Sequence, residues 1–457
     1  MSKLIAVFLA AVLLIPTLLA AQPVSNEELN LRVLDVFKSD VARRSESLKW
    51  LQERGNIDVA TALIAAHRFS PDAGPELDVT LQALTGVGHS GWSDWMLWQE
   101  ANPQVASYAG YERLRRALFG FLDPRFEIFF VEDGMAPRNR RIRLEEIVWG
   151  GVPALDGIPS LDFPAMIEAA QADYLRDDDL VFGVAINGDV RAYPLRIMGW
   201  HEMFNDVVGG VSVALAYCTL CGAGILFDTA VEGRDKPFVF GSSGLLYRSN
   251  KLMYDQQTHS LWNQFTGEPV TGELAHSDIR LKVLPVAITT WADWRAVNPG
   301  TQVLSLQTGH RRNYGSGVVY NAYFASPELM FPTQVRPGQP LAQKDFVFAV
   351  EQQGARRGWP LSAFAETPII NDAIGGKNLV LIGNSATRSV RAYERGDHTF
   401  SLNTAGELET MSGAWERSEE ALIGPDGTRL PRVAGFVAYW FAWDGYHEDA
   451  ASLYQSK

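Results

Sequence analysis

Cys218 and Cys221 are the only cysteines in the chain, and only Thr219 and Leu220 separate them. Two thiols at this spacing support three kinds of chemistry. They can cycle between dithiol and disulfide, one thiol being made nucleophilic by a short loop that lowers its pKa. They can bind a soft metal, Cu or Zn, with help from His201, Met253 or His259. They can also close an inert structural disulfide. His201 and Glu202 stand upstream. In a redox site His201 would pass protons and Glu202 would orient it, against the plainer role of satisfied structural residues. The redox reading expects the pair to lie exposed in a pocket. Met253-Tyr254-Asp255 and Thr258 to Trp262 form a polar–aromatic stretch that is the candidate second wall.

Several sharper motifs are absent. Gly222 follows Cys221 where c-type haem attachment needs His, and a four-ligand zinc ribbon needs a second cysteine pair. Asn205 stands where a His-Glu-x-x-His helix needs its second histidine. Gly241-Ser242-Ser243-Gly244 lacks the spacing of a nucleophile elbow, and there is no P-loop or Rossmann fingerprint.

The cysteines need particular elements to meet. The apolar run Val211 to Tyr217 reads as a strand, on which residues three apart point to opposite faces. Convergence therefore requires the strand to end near Tyr217, with Thr219-Leu220 in a turn supported by Gly222 and Gly224. Upstream, Leu180 to Ile186, Asn187-Gly188 and Val190 to Tyr193 read as a tight hairpin. Further strands are expected at Ile225–Phe227, Phe238–Phe240, Leu281–Leu284 and Val303–Leu306.

The chain also repeats itself. Asp179 to Gly210 aligns without gaps on Asp345 to Gly376 at about a third identity. Gly188 falls on Gly354, Arg191 on Arg357, Pro194-Leu195 on Pro360-Leu361, Asn205-Asp206 on Asn371-Asp372, and Gly209-Gly210 on Gly375-Gly376. Ser260-Leu-Trp262 echoes Ser412 to Trp415 after a change of length. At the same offset Cys218 falls on Asn384, Cys221 on Thr387, His201 on Thr367 and Glu202 on Pro368. Shared residues are expected to be scaffold. The four peculiar to the first copy are those a site would use.

Residues 26–122 read as helical, with Leu31, Leu34, Phe37 and Val41 at helical spacing, and form a small bundle or HEAT-like stack. Trp92, Trp95 and Trp98 are expected to be a packing stripe against the next domain, and the Tyr439 to Trp443 cluster to be core. Lys3, the apolar run Leu4 to Leu19 and Ala20-Ala21 read as a signal peptide over residues 1–21, which places the mature protein in the periplasm or outside the cell, with no stable membrane span. Over 457 residues, 40 basic against 53 acidic side chains give a net charge of −13, which argues against nucleic acid as a partner.

Tyr217-Cys-Thr-Leu-Cys-Gly222, Gly244-Leu-Leu-Tyr-Arg-Ser-Asn250, Met253-Tyr-Asp255, Ser260-Leu-Trp262 and Trp440-Phe-Ala-Trp443 together resemble domain-of-unknown-function family 3179. The resemblance spans roughly Arg141 to Tyr454 and leaves the helical part outside. The family pattern usually has Pro after the first cysteine, where this chain has Thr219. Some members carry selenocysteine in this motif, so the resemblance implies a chemically active chalcogen pair. It also implies a bacterial or archaeal protein that is often exported, and names no substrate.

The expected architecture is α+β. A helical domain (26–122) precedes a duplicated, mostly antiparallel β-rich domain made of barrel or sandwich halves. The first copy covers 141–298 and holds the Cys-x-x-Cys, 299–344 is a connector, and the second copy covers 345–454. The expected function is thiol redox through Cys218 and Cys221. Soft-metal binding or delivery is the first alternative. The second is a non-enzymatic interaction protein that docks a partner on the helical domain and uses the disulfide as a staple.

Overall fold

The computed structural model describes residues 24–455, apart from 39, 134–135, 335, 337 and 448–450. The signal peptide expected over 1–21 lies outside the described residues. The fold is α+β: a helical N-terminal region leads into a series of β-sheets.

The helices Asn26–Lys38, Val41–Arg54, Ala60–Phe69, Gly74–Thr85, Gly91–Ala101 and Tyr111–Leu122 begin and end where local chemistry directs. Asp40 caps the second by accepting from Arg43 N at 2.9 Å, and Gly55 closes it in the left-handed region. The first helix turns inward a face that only partly overlaps the expected stripe, with Leu34 and Phe37 half-buried against the core. Leu29, Val33 and Val36 are buried, whereas Leu31 is 63% exposed and Val41, which opens the next helix, 62%. Both stripes satisfy helical periodicity, and packing against the neighbouring helices selects one. The helical core runs on into the sheet formed by the Phe240–Tyr247 and Asn250–Asp255 strands, through Leu245, Leu252 and Tyr254. Trp95 is fully buried, and Trp92 meets Phe331 edge-on at 6.5 Å, which ties the helices to the segment between the two repeats.

The repeat extends further than the alignment. Leu180–Ile186 and Asp189–Pro194 correspond to Phe346–Gln352 and Ala355–Pro360. Met203–Val208, Val211–Cys218 and Ala223–Asp228 correspond to Ile369–Ile374, Lys377–Asn384 and Ser389–Glu394, every boundary falling at the same offset. The closing pieces match as well. Ala287–Thr290 pairs with the first strand of its copy, Thr290 opposite Leu180, and Phe436–Tyr439 does the same, Tyr439 opposite Phe346. Each then enters a helix that buries two tryptophans, Trp291 and Trp294 in one, Trp440 and Trp443 in the other. Gln302–Leu304, inside the stretch read as connector, runs parallel to Asp189–Pro194, as Ala451–Leu453 runs parallel to Ala355–Pro360. The connector therefore starts later than 299, because this strand completes the sheet of the first copy. Phe182, Tyr193, Phe204 and Leu215 share one core with Phe348, Trp359, Leu379 and Leu381, so the copies pack on each other.

The shared residues do the same work twice. Asp206 accepts from Arg191 at 2.8 Å and Tyr193 Oη at 2.7 Å; Asp372 accepts from Arg357 at 2.9 Å and Trp359 Nε1 at 3.0 Å. Asn205 brackets the backbone of Phe240 with two bonds of 2.8 Å, and Asn371 brackets Phe400 with two of 2.9 Å. Trp262 and Trp415 then stand edge-on to those phenylalanines, each at 5.2 Å.

Candidate functional site

Cys218 ends its strand opposite Ala223, and Thr219 to Gly222 turn the chain back. The turn closes through Gly222 N donating to Thr219 O at 3.3 Å, with Gly222 at φ +60°, where a side chain would meet Phe346 and Tyr439. Gly224 has a different role from the one expected. It lies in the next strand, and a Cβ there would come within 2.3 Å of the Phe182 ring. Cys218 and Cys221 form a disulfide across the turn, with Cα atoms 5.3 Å apart.

The pair is buried, Cys218 at 2% and Cys221 at 0% exposure, where the redox reading expects an exposed pair. Two segments cover it. Tyr439 N, from the closing strand of the second copy, donates to Cys221 O at 2.8 Å. Tyr323 Oη, from the short Asn321–Ala325 helix of the connector, donates to Leu220 O at 2.8 Å. Lys344 holds that helix by donating to the carbonyls of Tyr323 and Ser326, both at 2.7 Å.

A polar shell lies beneath. Asn250 Nδ2 donates to Cys221 Sγ at 3.4 Å and to Gln264 Oε1 at 2.9 Å. Gln264 in turn donates to the carbonyls of Ala216 and Ala223 on both strands of the cysteine hairpin. Ser249 O lies 3.2 Å from Cys221 Sγ, a contact that becomes a hydrogen bond when the sulfur is a thiol. Arg248 (φ +47°) and Ser249 (φ +59°) both occupy the left-handed region, which non-glycine residues enter at a cost of about 1–3 kcal/mol each. That two-residue turn joins Phe240–Tyr247 to Asn250–Asp255 and brings Ser249 O and Asn250 to the sulfur. The Gly244 to Asn250 motif thus builds one wall of the site.

Glu202 and Lys251 form the charged part. Thr219 Oγ1, inside the Cys-x-x-Cys, donates to Glu202 Oε1 at 2.8 Å, and Lys251 Nζ sits 2.7 Å from Glu202 Oε2. Tyr320 Oη donates to Glu202 Oε1 at 3.3 Å. All three of Glu202, Thr219 and Lys251 are buried. A buried ion pair is stabilising only with good geometry and further hydrogen bonds; Thr219 and Tyr320 supply them to Glu202, while Lys251 Nζ has no further partner among the described residues.

His201 does not join this group. Glu202 takes a left-handed conformation (φ +54°) that ends the Leu195–His201 helix, so the two neighbours diverge. Glu202 does not orient His201. The His201 ring meets Pro159 O through Nδ1 at 2.8 Å and Tyr314 Oη through Nε2 at 2.6 Å, with His310 beside it. Burial is the main cause that lowers its pKa from 6.5 to about 4. Met253 shares the apolar cluster that contains both cysteines. His259 instead stacks on Tyr254, and Asp255 binds Thr258 and Trp262 Nε1 to shape that turn. Among the described residues no group of three or more His, Cys, Asp or Glu side chains converges to hold a metal. Thr219, Ser249, Asn250, Lys251, Tyr320 and Tyr323 are site residues that spacing did not single out, although the Gly244 to Asn250 motif pointed at the wall that carries two of them.

A family model described as protein of unknown function (DUF3179) matches residues 155–450. The chain belongs to that family. The DUF3179 match takes in nearly all of both copies of the repeat and the whole cysteine shell, and leaves out the six N-terminal helices and the last strand, Ala451–Leu453. No curated protein and no solved structure matches the chain. No helix among the described residues is long and apolar enough to cross a membrane.

Proposed function

We propose that this is an exported thiol-redox protein acting through Cys218 and Cys221. The observation that carries the reading is the second copy, which makes the same turn without cysteines. Arg388 N donates to Ser385 O at 3.4 Å, Arg388 takes φ +54°, and Asn384 pairs with Ser389. The fold does not need a disulfide to form this turn. As a staple the bond would contribute little, since so short a loop gives only about 2 kcal/mol from chain entropy. A polar shell bonded to the sulfur and to the loop between the cysteines fits chemistry better than bracing.

The shell suggests which sulfur does what. A partner thiolate bonds to Cys218 Sγ as the Cys218–Cys221 bond breaks. Cys221 leaves as a thiolate, and Asn250 Nδ2 donates to it. The partner's second thiolate then displaces Cys218 from the mixed disulfide. The partner dithiol is oxidised to a disulfide, the cysteine pair takes two electrons, and the two protons end on Cys218 and Cys221. Because both sulfurs are buried, exchange requires the Tyr320–Tyr323 segment to move aside.

Redox titration with thiol trapping and mass spectrometry tests this. The expected potential lies within the range of thiol oxidoreductases, about −120 to −270 mV. A pair that stays oxidised in strong reductant, even in a Tyr323→Ala/Lys344→Ala variant that frees the cover, would make it a structural disulfide.

A further inference from the structure

In a chain of net charge −13, one open cavity of about 790 Å³ concentrates positive charge. Arg196, His310, Arg311 and Arg312 line it, with Tyr174 and Tyr314 as walls. Its size suits a small organic ligand. His310, Arg311 and Arg312 are exposed, and none of them pairs with a carboxylate among the described residues. Cationic groups left unpaired around a concave surface, in a protein otherwise rich in acid, raise the local concentration of anions.

Arg196 supplies the second observation. Its side chain is 10% exposed, it pairs with Asp179 at 3.1 Å, and it donates through Nη1 to Tyr174 O. Its Nε is buried with no hydrogen-bond partner among the described residues. That donor has no exposed surface and does not itself reach a ligand; Arg196 lines the cavity with the rest of its side chain.

The loop bearing the arginines is held in shape. Tyr314 Oη lies 2.6 Å from Thr308 Oγ1 across the loop and 2.6 Å from His201 Nε2 below it. Trp200 Nε1 donates to Asn313 O at 2.9 Å, and Ser316 Oγ donates to Asp179 at 2.7 Å. The Arg312 guanidinium sits 5.7 Å from the Trp200 ring centroid. A preformed loop loses less entropy on binding than a free one.

We propose that this cavity binds a small molecule carrying a phosphate or carboxylate group, gripped by Arg311 and Arg312, with Arg196 in its wall. Arginine suits such groups because its fork can bond two oxygens at once. The site is independent of the cysteine chemistry, so either reading can fail without the other.

The test is calorimetric titration of the chain with inorganic pyrophosphate and, separately, with citrate at low ionic strength, where surface charge is least screened. Saturable binding of at least one probe is expected. It should weaken at least tenfold in an Arg311→Ala/Arg312→Ala variant. An Arg417→Ala/Arg429→Ala control, which removes the same charge from exposed positions elsewhere, should stay within twofold of the parent. Preference for one probe assigns the group as phosphate or carboxylate. The proposal is overturned if neither probe saturates, if both variants lose binding equally, or if binding appears only on phosphatidylglycerol vesicles.

Discussion

The turns at Cys218–Gly222 and Asn384–Arg388 have the same backbone and opposite surroundings. In the second copy Asn384 is exposed, and its Oδ1 accepts from Ala386 N at 2.9 Å, closing the turn with an ordinary side-chain cap. That turn borders an open cavity of about 450 Å³, lined by Thr289, Asp293, Thr387 and Ser389 among others. In the first copy a disulfide replaces the cap, a connector helix lies over it, and a carboxylate and an ammonium are buried beneath. The difference separates what the fold requires from what was added to it. Turn and strands are common property. The sulfur pair, Glu202, Lys251 and the cover belong to one copy alone.

Unbalancing the buried charges should have the largest effect. Lys251→Ala leaves Glu202 buried with only hydroxyl partners, and should cost about 3–5 kcal/mol in denaturant unfolding. Glu202→Gln/Lys251→Met removes both charges and should recover most of that stability while abolishing thiol exchange. Recovery of both stability and exchange would show the pair to be filler beside the cysteines.

A smaller effect is expected from pH. Thr367 stands where the first copy has His201, so only one copy titrates here. The folded pKa of His201 is depressed to about 4 from 6.5, so the unfolded chain binds the proton more tightly. Its contribution is therefore fully present above about pH 6.5 and is lost as pH falls through about 4, amounting to about 2–3 kcal/mol. Unfolding at pH 7.5 and 4.5 should show this loss in the parent chain. His201→Gln should lose correspondingly less between the two pH values.

Removing the sulfurs should matter less again. Cys218→Ala/Cys221→Ala, which leaves no buried hydroxyl behind, should abolish thiol exchange and lower stability by about 2 kcal/mol, the chain-entropy value for so short a loop. A loss above about 4 kcal/mol in the same unfolding experiment would mean that the disulfide braces the covered turn.

The scaffold was legible in the sequence because its rules are local. Asn187-Gly188 announces a tight turn wherever it stands, and the paired Asn-Asp and Gly-Gly residues announce the repeat. The cysteine turn was legible for the same reason, since strand geometry forced it. His201 and Glu202 misled because adjacency in the chain says nothing of direction once a left-handed residue intervenes. Lys251 and Tyr323 reach the site through sheet register and a connector that crosses between domains, and neither leaves a periodic trace. Asn250 and Ser249 were visible only as part of a motif whose purpose needed the hairpin to be seen.

The gentlest test moves the chemistry instead of removing it. If the two turns truly share a backbone, Asn384→Cys/Thr387→Cys should close a second disulfide in oxidising buffer. The exchange loses the Asn384 cap, worth about 1 kcal/mol as a single hydrogen bond, and gains about 2 kcal/mol from cross-linking, so stability should rise by about 1 kcal/mol. Reactivity should differ more than stability. The grafted pair would be exposed at position 384 and half-buried at 387, with no connector helix above it, and should be reduced by dithiothreitol faster than the native pair, which waits for its cover to move. It would also lack the donor that Asn250 supplies, so its potential should depart from that of Cys218–Cys221. Trapping and peptide mass spectrometry on the four-cysteine variant follow both pairs in one sample. Two pairs with the same rate and the same potential would mean that burial, Asn250 and the Glu202–Lys251 pair add nothing to the turn.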